Sequence, residues 1–298
     1  MPARGLLAYN KATRTGIVVA RRSAMLKESR INSQIAGEGY RVTCYDDVLS
    51  TNDLVKDAIR KGEREGLVVT ALTQGAGYGR TGHEWRSPLG GLYFSMLLRP
   101  EVPMEQLPTL SQLTSFAVRE ALGDLDASLA EAVKIKWPND VMCQGSKLCG
   151  VSLEQSEGAV CVGVGVNVFQ PLNLADRIVG GKYTPAYVSE LCNWGVMPRI
   201  DVRGLSTAQG LLMEQVLVNI LMRFGAAYQE WRAGGFETIR ERYLENLYLL
   251  GEEVTVENLA GDFFAQGKVV NVNEKGQMVL RDAANNYYAI SAGEVHLR

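Results

Sequence analysis

A β-rich run, Leu67–Thr70, leads into a loop holding Gly75, Gly77, Gly79 and Gly82, and a second apolar run, Leu92–Leu98, leads out of it. This stretch constrains the chain more than any other. Two strands must hold a long loop between them, and the loop must do something that side chains would hinder. Glycine enters φ > 0 without a Cβ penalty, so such a backbone can bend tightly and approach a ligand closely. Arg80 inside the loop and Trp85 after it bracket open backbone N–H groups with a fixed cation and a stacking surface. That combination suits an anionic, aromatic ligand such as an adenylate. Glycines alone would equally make a flexible hairpin loop; the company of Arg80 and Trp85 argues for a site.

The bulk of the chain narrows the options. With 298 residues and 46% apolar content it can form one large domain with an appendage, or two domains. A net charge of −2 excludes a globally basic nucleic-acid binder, although residues 1–41 hold a local excess of six positive charges. Leu26, Ile31 and Ile35 are too few apolar residues for a helix-turn-helix head, so 1–41 reads as a basic N-terminal arm. No apolar stretch approaches the ~18–20 residues of a membrane span, and the run Gly16–Ala20 is too short for a signal peptide. Five cysteines without a Cys-x-x-Cys pair read as reduced thiols of a cytoplasmic protein. Only His83 and His296 are present, and there is no Gly-x-Ser-x-Gly elbow. A histidine-rich metal centre and a Ser-His-Asp hydrolase are both poorly supplied.

Taken in order, the arm gives way at Gly37–Tyr40 to a strand, Arg41–Tyr45. Ser50-Thr51-Asn52-Asp53 opens a helix, with Ser50 or Thr51 placed to cap it. A second helix fits Thr109–Leu122, where apolar residues recur at helical spacing. Residues 134–169 read as three or four strands joined by tight turns, and Val160–Val168 alternates valine with glycine or cysteine. One face of that strand is bulky and the other bare, as close approach of a ligand requires. Residues 183–247 read as helical. After Gly251 the pattern switches to period two in several short strands, which predicts a small C-terminal β-barrel.

Gly77-Tyr78-Gly79-Arg80-Thr81-Gly82 matches G-x-G-x-x-G, but it leads to a strand and not a helix, so the dinucleotide reading fails. A Walker-type phosphate loop is absent. The motifs instead resemble those of the biotin–protein ligases. Ser50-Thr51-Asn52, Gln74 with Gly77-x-Gly79-Arg80-x-Gly82-x-x-Trp85, Lys136-Trp137-Pro138-Asn139-Asp140, Lys147-x-x-Gly150, Gly163-x-Gly165-x-Asn167 and Gly293-Glu294-Val295-x-Leu297-Arg298 stand in the family's order.

The resemblance, over roughly residues 42–298, implies an α/β (α+β) fold: a mixed-sheet catalytic domain over 42–247 and an SH3-like barrel over 248–298. It implies ATP-dependent biotinylation of a lysine on a biotin carboxyl carrier protein through biotinyl-5′-adenylate. ATP and Mg²⁺ would be the cofactors and biotin the substrate. Lys147 and Arg80 would carry the catalysis. Ser50, Thr51, Asn52, Gln74, Gly79, Arg80, Lys147 and Gly150 would bind biotin, while Gly77, Arg80, Trp85, Asn139, Lys147, Asn167 and Arg298 would bind the nucleotide. The metal ligands stay unassigned, and Trp137 reads as core. Loop 75–84 would order over bound ligand and exclude water. The family usually has arginine where Tyr78 stands and a cation where His83 stands, so this loop has lost two charges. A lipoate-type ligase is the rival chemistry, though its Arg-Arg-x-x-Gly-Gly loop is missing. A biotin-sensing repressor is the rival class, disfavoured by the short arm, so DNA is not an expected partner; nor, without an apolar span, is a membrane, while the resemblance allows a weak or ligand-promoted homodimer through the central sheet.

Overall fold

The computed structural model describes residues 21–172, 183–191, 195, 198–201, 203–258 and 261–298. Its larger sheet comprises β1 (Arg21–Arg22), β2 (Arg41–Val48), β3 (Leu67–Gln74), β4 (Gly91–Leu98), β5 (Val133–Lys136), β6 (Asp140–Cys143), β7 (Ser146–Ser156) and β8 (Ala159–Asn167). The strands lie in the order β1-β2-β3-β4-β8-β7-β6-β5. Among the described strands of this sheet, β2 and β3 alone pair parallel. A parallel pair needs a crossover, and α2 (Thr51–Arg60) provides it. The other helices are α1 (Glu28–Gln34), α3 (Leu110–Leu125), α4 (Ala127–Ala132), α5 (Val188–Leu191), α6 (Thr207–Gly234) and α7 (Glu237–Glu245).

The two faces of the sheet have different fates, and β8 shows why. Val160, Val162, Val164 and Val166 point into the main core with α3 and α6. Cys161, Gly163, Gly165 and Asn167 alternate with them and face the other way, as period two demands. On that second face α2 covers only part of the sheet, packing Val55, Ala58 and Ile59 against Val69, Leu97 and Cys161. Beyond the start of α2 the glycines leave the strands uncovered. Helix α6 is long and apolar enough to cross a membrane, but most of it is buried inside this core.

Residues 21–41 correct the expectation of an arm, and residues 1–20 lie outside the described part. Strand β1 pairs with β2, and Leu26, Ile31 and Ile35 are buried in the main core. Three apolar side chains suffice because β2 and α6 complete the surface they pack on. The Lys27 N–H and the Arg30 guanidinium close on Glu214 of α6, whose side chain is 1% exposed. A buried carboxylate held by a cation and a backbone donor is the arrangement such burial requires.

The C-terminal strands β9 (Glu253–Glu257), β10 (Phe263–Val272), β11 (Met278–Arg281), β12 (Tyr287–Ile290) and β13 (Glu294–Leu297) form an antiparallel sheet in the order β12-β11-β10-β9-β13. Two buried hydrogen bonds that share one carbonyl help fasten it to the larger domain. Gly276 O accepts from Trp137 Nε1 at 2.8 Å and from Gln112 Nε2 at 2.9 Å. Gly276 has φ +72°, and a Cβ there would stand 2.8 Å from Thr109. Trp137→Phe keeps the packing and deletes one donor, so stability should fall by about 1 kcal/mol, a Tm drop of ~2–4 °C in thermal unfolding. An unchanged Tm would show that the bond contributes nothing.

Candidate active site

The uncovered half of β7 and β8 is the floor of a cavity of about 710 Å³. Gly150 lies opposite Gly165 and Ser152 opposite Gly163 across the strand pair. The start of α2 forms one wall, the β5–β6 turn and β7 another, and the glycine loop the roof. The C-terminal sheet also lines the cavity, through Glu257 and Glu294.

The loop is a folded flap. Gln74 bridges Ser87 and Tyr78 bridges Glu84, so the two arms run antiparallel. Gly79 N–H donates to His83 O at 2.8 Å and Trp85 N–H to Gly77 O at 2.9 Å, with a 3₁₀ turn at Arg80–Gly82. Gly77 serves this folding: a Cβ there would meet Ser87 Oγ and Trp85 O at 2.6 Å.

One end of the cavity is neutral and richly hydrogen-bonded. Gln74 Oε1 accepts from Thr51 N–H at 2.8 Å and from Thr51 Oγ1 at 3.1 Å, and Gln74 Nε2 donates to Ser87 Oγ at 2.8 Å. The fully buried Ser95 hydroxyl lies 2.7 Å from Thr51 Oγ1 and 2.6 Å from Asn52 Oδ1. The expected Ser50 capping is not made: its side chain accepts no helix N–H, while Gln74 Oε1 accepts the N–H of Thr51, the first helical residue.

The other end is charged. Arg80 Nη1 donates to Asn139 Oδ1 at 2.9 Å, and Asn139 Nδ2 in turn donates to Val151 O at 2.6 Å. Lys147 Nζ stands 2.7 Å from Asp140 Oδ2 and 5.3 Å from the centre of the Trp85 indole. Asn167 Nδ2 donates to Lys147 O at 3.1 Å and so fixes that strand. The indole lies directly on the glycine floor: a Cβ on Gly165 would be 2.4 Å from its Nε1, and one on Gly150 2.9 Å from its edge. Trp85 Nε1 and Asp140 Oδ1 are both buried with no partner. An unmet buried polar atom costs ~1–3 kcal/mol, so both are ready for polar atoms of a ligand.

Most residues singled out in the sequence meet here. Ser50, Thr51, Asn52, Gln74, Gly79 and Arg80 line the cavity, as do Trp85, Asn139, Lys147, Gly150 and Asn167. Gly77 and Arg298 do not. Gly77 packs inside the flap, and exposed Arg298 touches Glu253 O through its backbone at 3.1 Å. Ser95, Ser152 and the part played by Tyr78 escaped sequence reasoning. A lone hydroxyl in the apolar run Leu92–Leu98 was the available signal for Ser95.

Among the described residues the cysteines offer no activated thiol. Cys44, Cys143, Cys149 and Cys161 are buried and free, and burial pushes the Cys44 thiol up to about 12 and the Cys149 and Cys161 thiols up as well. Thiols held protonated are poor nucleophiles. Among the described residues no three His, Cys, Asp or Glu side chains cluster as a metal cage.

The geometry has close counterparts. The profile of the Biotin/lipoate A/B protein ligase family matches residues 46–168. A Paracoccus denitrificans protein named biotin–[acetyl-CoA-carboxylase] ligase is 32% identical over 232 residues, covering 76% of this chain and 88% of its own. A Mycobacterium tuberculosis protein of the same name is 27% identical over 280 residues, 92% of this chain and 96% of that one. Among solved structures, the biotin protein ligase of Aquifex aeolicus in complex with biotin and ATP superposes with a TM-score of 0.68 at 28% identity, covering 86% of this chain and 98% of that one. With that identity sustained over most of both chains, and with the family's motifs meeting in one cleft, this chain belongs to the biotin–protein ligase family.

Proposed function

We propose that this chain joins biotin to ATP in the glycine-floored cleft, giving biotinyl-5′-adenylate, and then passes the biotinyl group to a lysine of a biotin carboxyl carrier protein. One observation carries the assignment of roles: Arg80 and Lys147 share a cavity whose far end is the neutral Thr51–Gln74–Ser95 network. A ureido ring needs neutral partners, while the reacting carboxylate and α-phosphate need cations.

In the first step a carboxylate oxygen of biotin attacks the α-phosphorus and pyrophosphate leaves. Two anions must approach, so charge neutralisation and positioning dominate. Lys147 and Arg80 bridge the carboxylate and the phosphate, exchanging their bonds to Asp140 and Asn139 for ligand oxygens. Trp85 lifts from the floor to stack on the adenine, and Asn139 meets the base edge. In the second step the carrier's lysine amine attacks the acyl carbon, and AMP departs with the bonding pair. Mg²⁺, when bound with ATP, neutralises phosphate charge. Magnesium is commonly held by one or two carboxylates plus the substrate's phosphates, and Asp140 Oδ1, buried and unpartnered, fits that need.

The test is incubation with biotin, Mg-ATP and an apo carrier domain, read by mass spectrometry of the carrier. One added biotinyl group is expected, with none when lipoate replaces biotin. No gain with biotin, or equal gain with lipoate, would overturn the assignment.

A further inference from the structure

We infer that Tyr78 and Lys56 form a catch that holds the flap shut over the acyl-adenylate, making Tyr78 a positioning residue for the transfer step. The inference rests on the ligase chemistry proposed above. Tyr78 stands on the flap between Gly77 and Gly79, and its phenol reaches across to α2. The oxygen lies 2.6 Å from Lys56 Nζ and 3.0 Å from Asp53 Oδ1. Lys56 Nζ also stands 2.9 Å from Glu154 Oε2, 3.1 Å from Asp53 Oδ1 and 5.1 Å from the centre of the Tyr78 ring.

The donors and acceptors assign themselves. The ammonium donates to the phenol oxygen, and the phenol O–H donates to Asp53. Burial disfavours the Lys56 charge, but hydrogen bonds with Tyr78, Glu154 and Asp53 raise its pKa beyond the ordinary value. Burial, with Asp53 and Glu154 nearby, likewise raises that of the Tyr78 phenol despite Lys56. The pair therefore stays ammonium and neutral phenol. A guanidinium, having no acceptor, could not receive the hydrogen bond from Lys56, whereas the phenol oxygen does.

The catch is also wired to the ligand cavity. Glu154 Oε1 accepts from Asn52 Nδ2 at 3.1 Å, and that amide lies 3.3 Å from Ser152 Oγ on the cavity wall. An unbroken line of polar contacts thus runs from the neutral end of the cavity through Glu154 and Lys56 to the flap. Tyr78 is two residues from Arg80, so holding the phenol fixes where that guanidinium stands. Charge-assisted bonds such as the one to Lys56 are roughly twice as strong as neutral ones. The flap must release them before the adenylate leaves or water enters.

The experiment preloads enzyme with labelled biotinyl-adenylate, isolates the complex, and follows release with and without apo carrier. Wild type, Tyr78→Phe, Lys56→Met and the double variant are compared. Each single substitution should speed release about tenfold and raise the ATP consumed per carrier modified, while the double variant should be no faster than the faster single. A merely structural role would lower adenylate synthesis and Tm without this non-additive effect on retention. Lys56→Met probes the catch from the helix side and leaves the flap sequence intact. Wild-type release from both singles, or a double variant whose effect is the product of the two, would overturn the catch alone. Wild-type enzyme that never forms adenylate would overturn it together with the ligase assignment.

Discussion

Lys147→Ala should lower biotin transfer to the carrier by at least about a hundredfold, the usual effect of deleting a donor that meets developing charge. Lys147 stands beside the indole on the cavity wall and is oriented by Asp140 at 2.7 Å. Alanine removes the cation and also leaves Asp140 with both oxygens unmet, since Oδ1 already lacks a partner. Stability should therefore fall too, by ~1–3 kcal/mol for a stranded buried acceptor. Two measurements separate these effects. Adding Asp140→Asn should recover much of the lost Tm in thermal unfolding without returning carrier biotinylation. Single-turnover assays should place the Lys147→Ala defect in adenylate formation. A variant that forms adenylate at the wild-type rate would remove Lys147 from the reaction.

Gly165→Ala tests the floor of the cleft with a single methyl group. That Cβ would be 2.4 Å from Trp85 Nε1 and 2.6 Å from the adjoining ring carbon. The indole belongs to the flap and can lift, so the sheet itself should tolerate the change with little loss of Tm. Ligand and flap must settle on this same surface during turnover, and a displacement of about 1 Å can cost about a hundredfold in rate. We expect a loss of that order in kcat/KM. Gly163→Ala provides the contrast: its Cβ would lie 2.3 Å from Asn52 Oδ1 and 2.6 Å from Ser152 Oγ, inside the folded network. That variant should lose stability as well as activity. Wild-type turnover in Gly165→Ala would show that nothing seats closely on the floor.

Much of this site was legible before any coordinates, because its elements carry unusual local signals. The valine–glycine alternation of Val160–Val168 announced a strand with one bare face, and that face is the cavity floor. Gly75 to Trp85 announced a loop with a guanidinium and an indole, and the two reach the same cleft as Lys147. What stayed hidden depends on partners distant in sequence. Ile31 in a basic stretch looks like part of a tail until α6 and β2 are seen to complete its pocket. Thr51 looks like a helix cap until Gln74, more than twenty residues away, is seen to accept from both its N–H and its hydroxyl. Tyr78 reads as a missing cation until Lys56 and Asp53 are placed beside it. β13 was too short and too mixed to declare itself a strand, and only pairing with β9 makes it one.

The Gly276 carbonyl that receives Trp137 and Gln112 has a consequence for recombining parts among relatives. Trp137 immediately precedes the turn bearing Asn139 and Asp140, which line the cavity, so the tail module and that turn are tied through the same tryptophan. A chimera that imports a foreign tail without a glycine at that turn, or without its matching tryptophan and glutamine, would break that tie and disturb the turn behind it. The small sheet thus acts as a splint for the turn that lines the cavity.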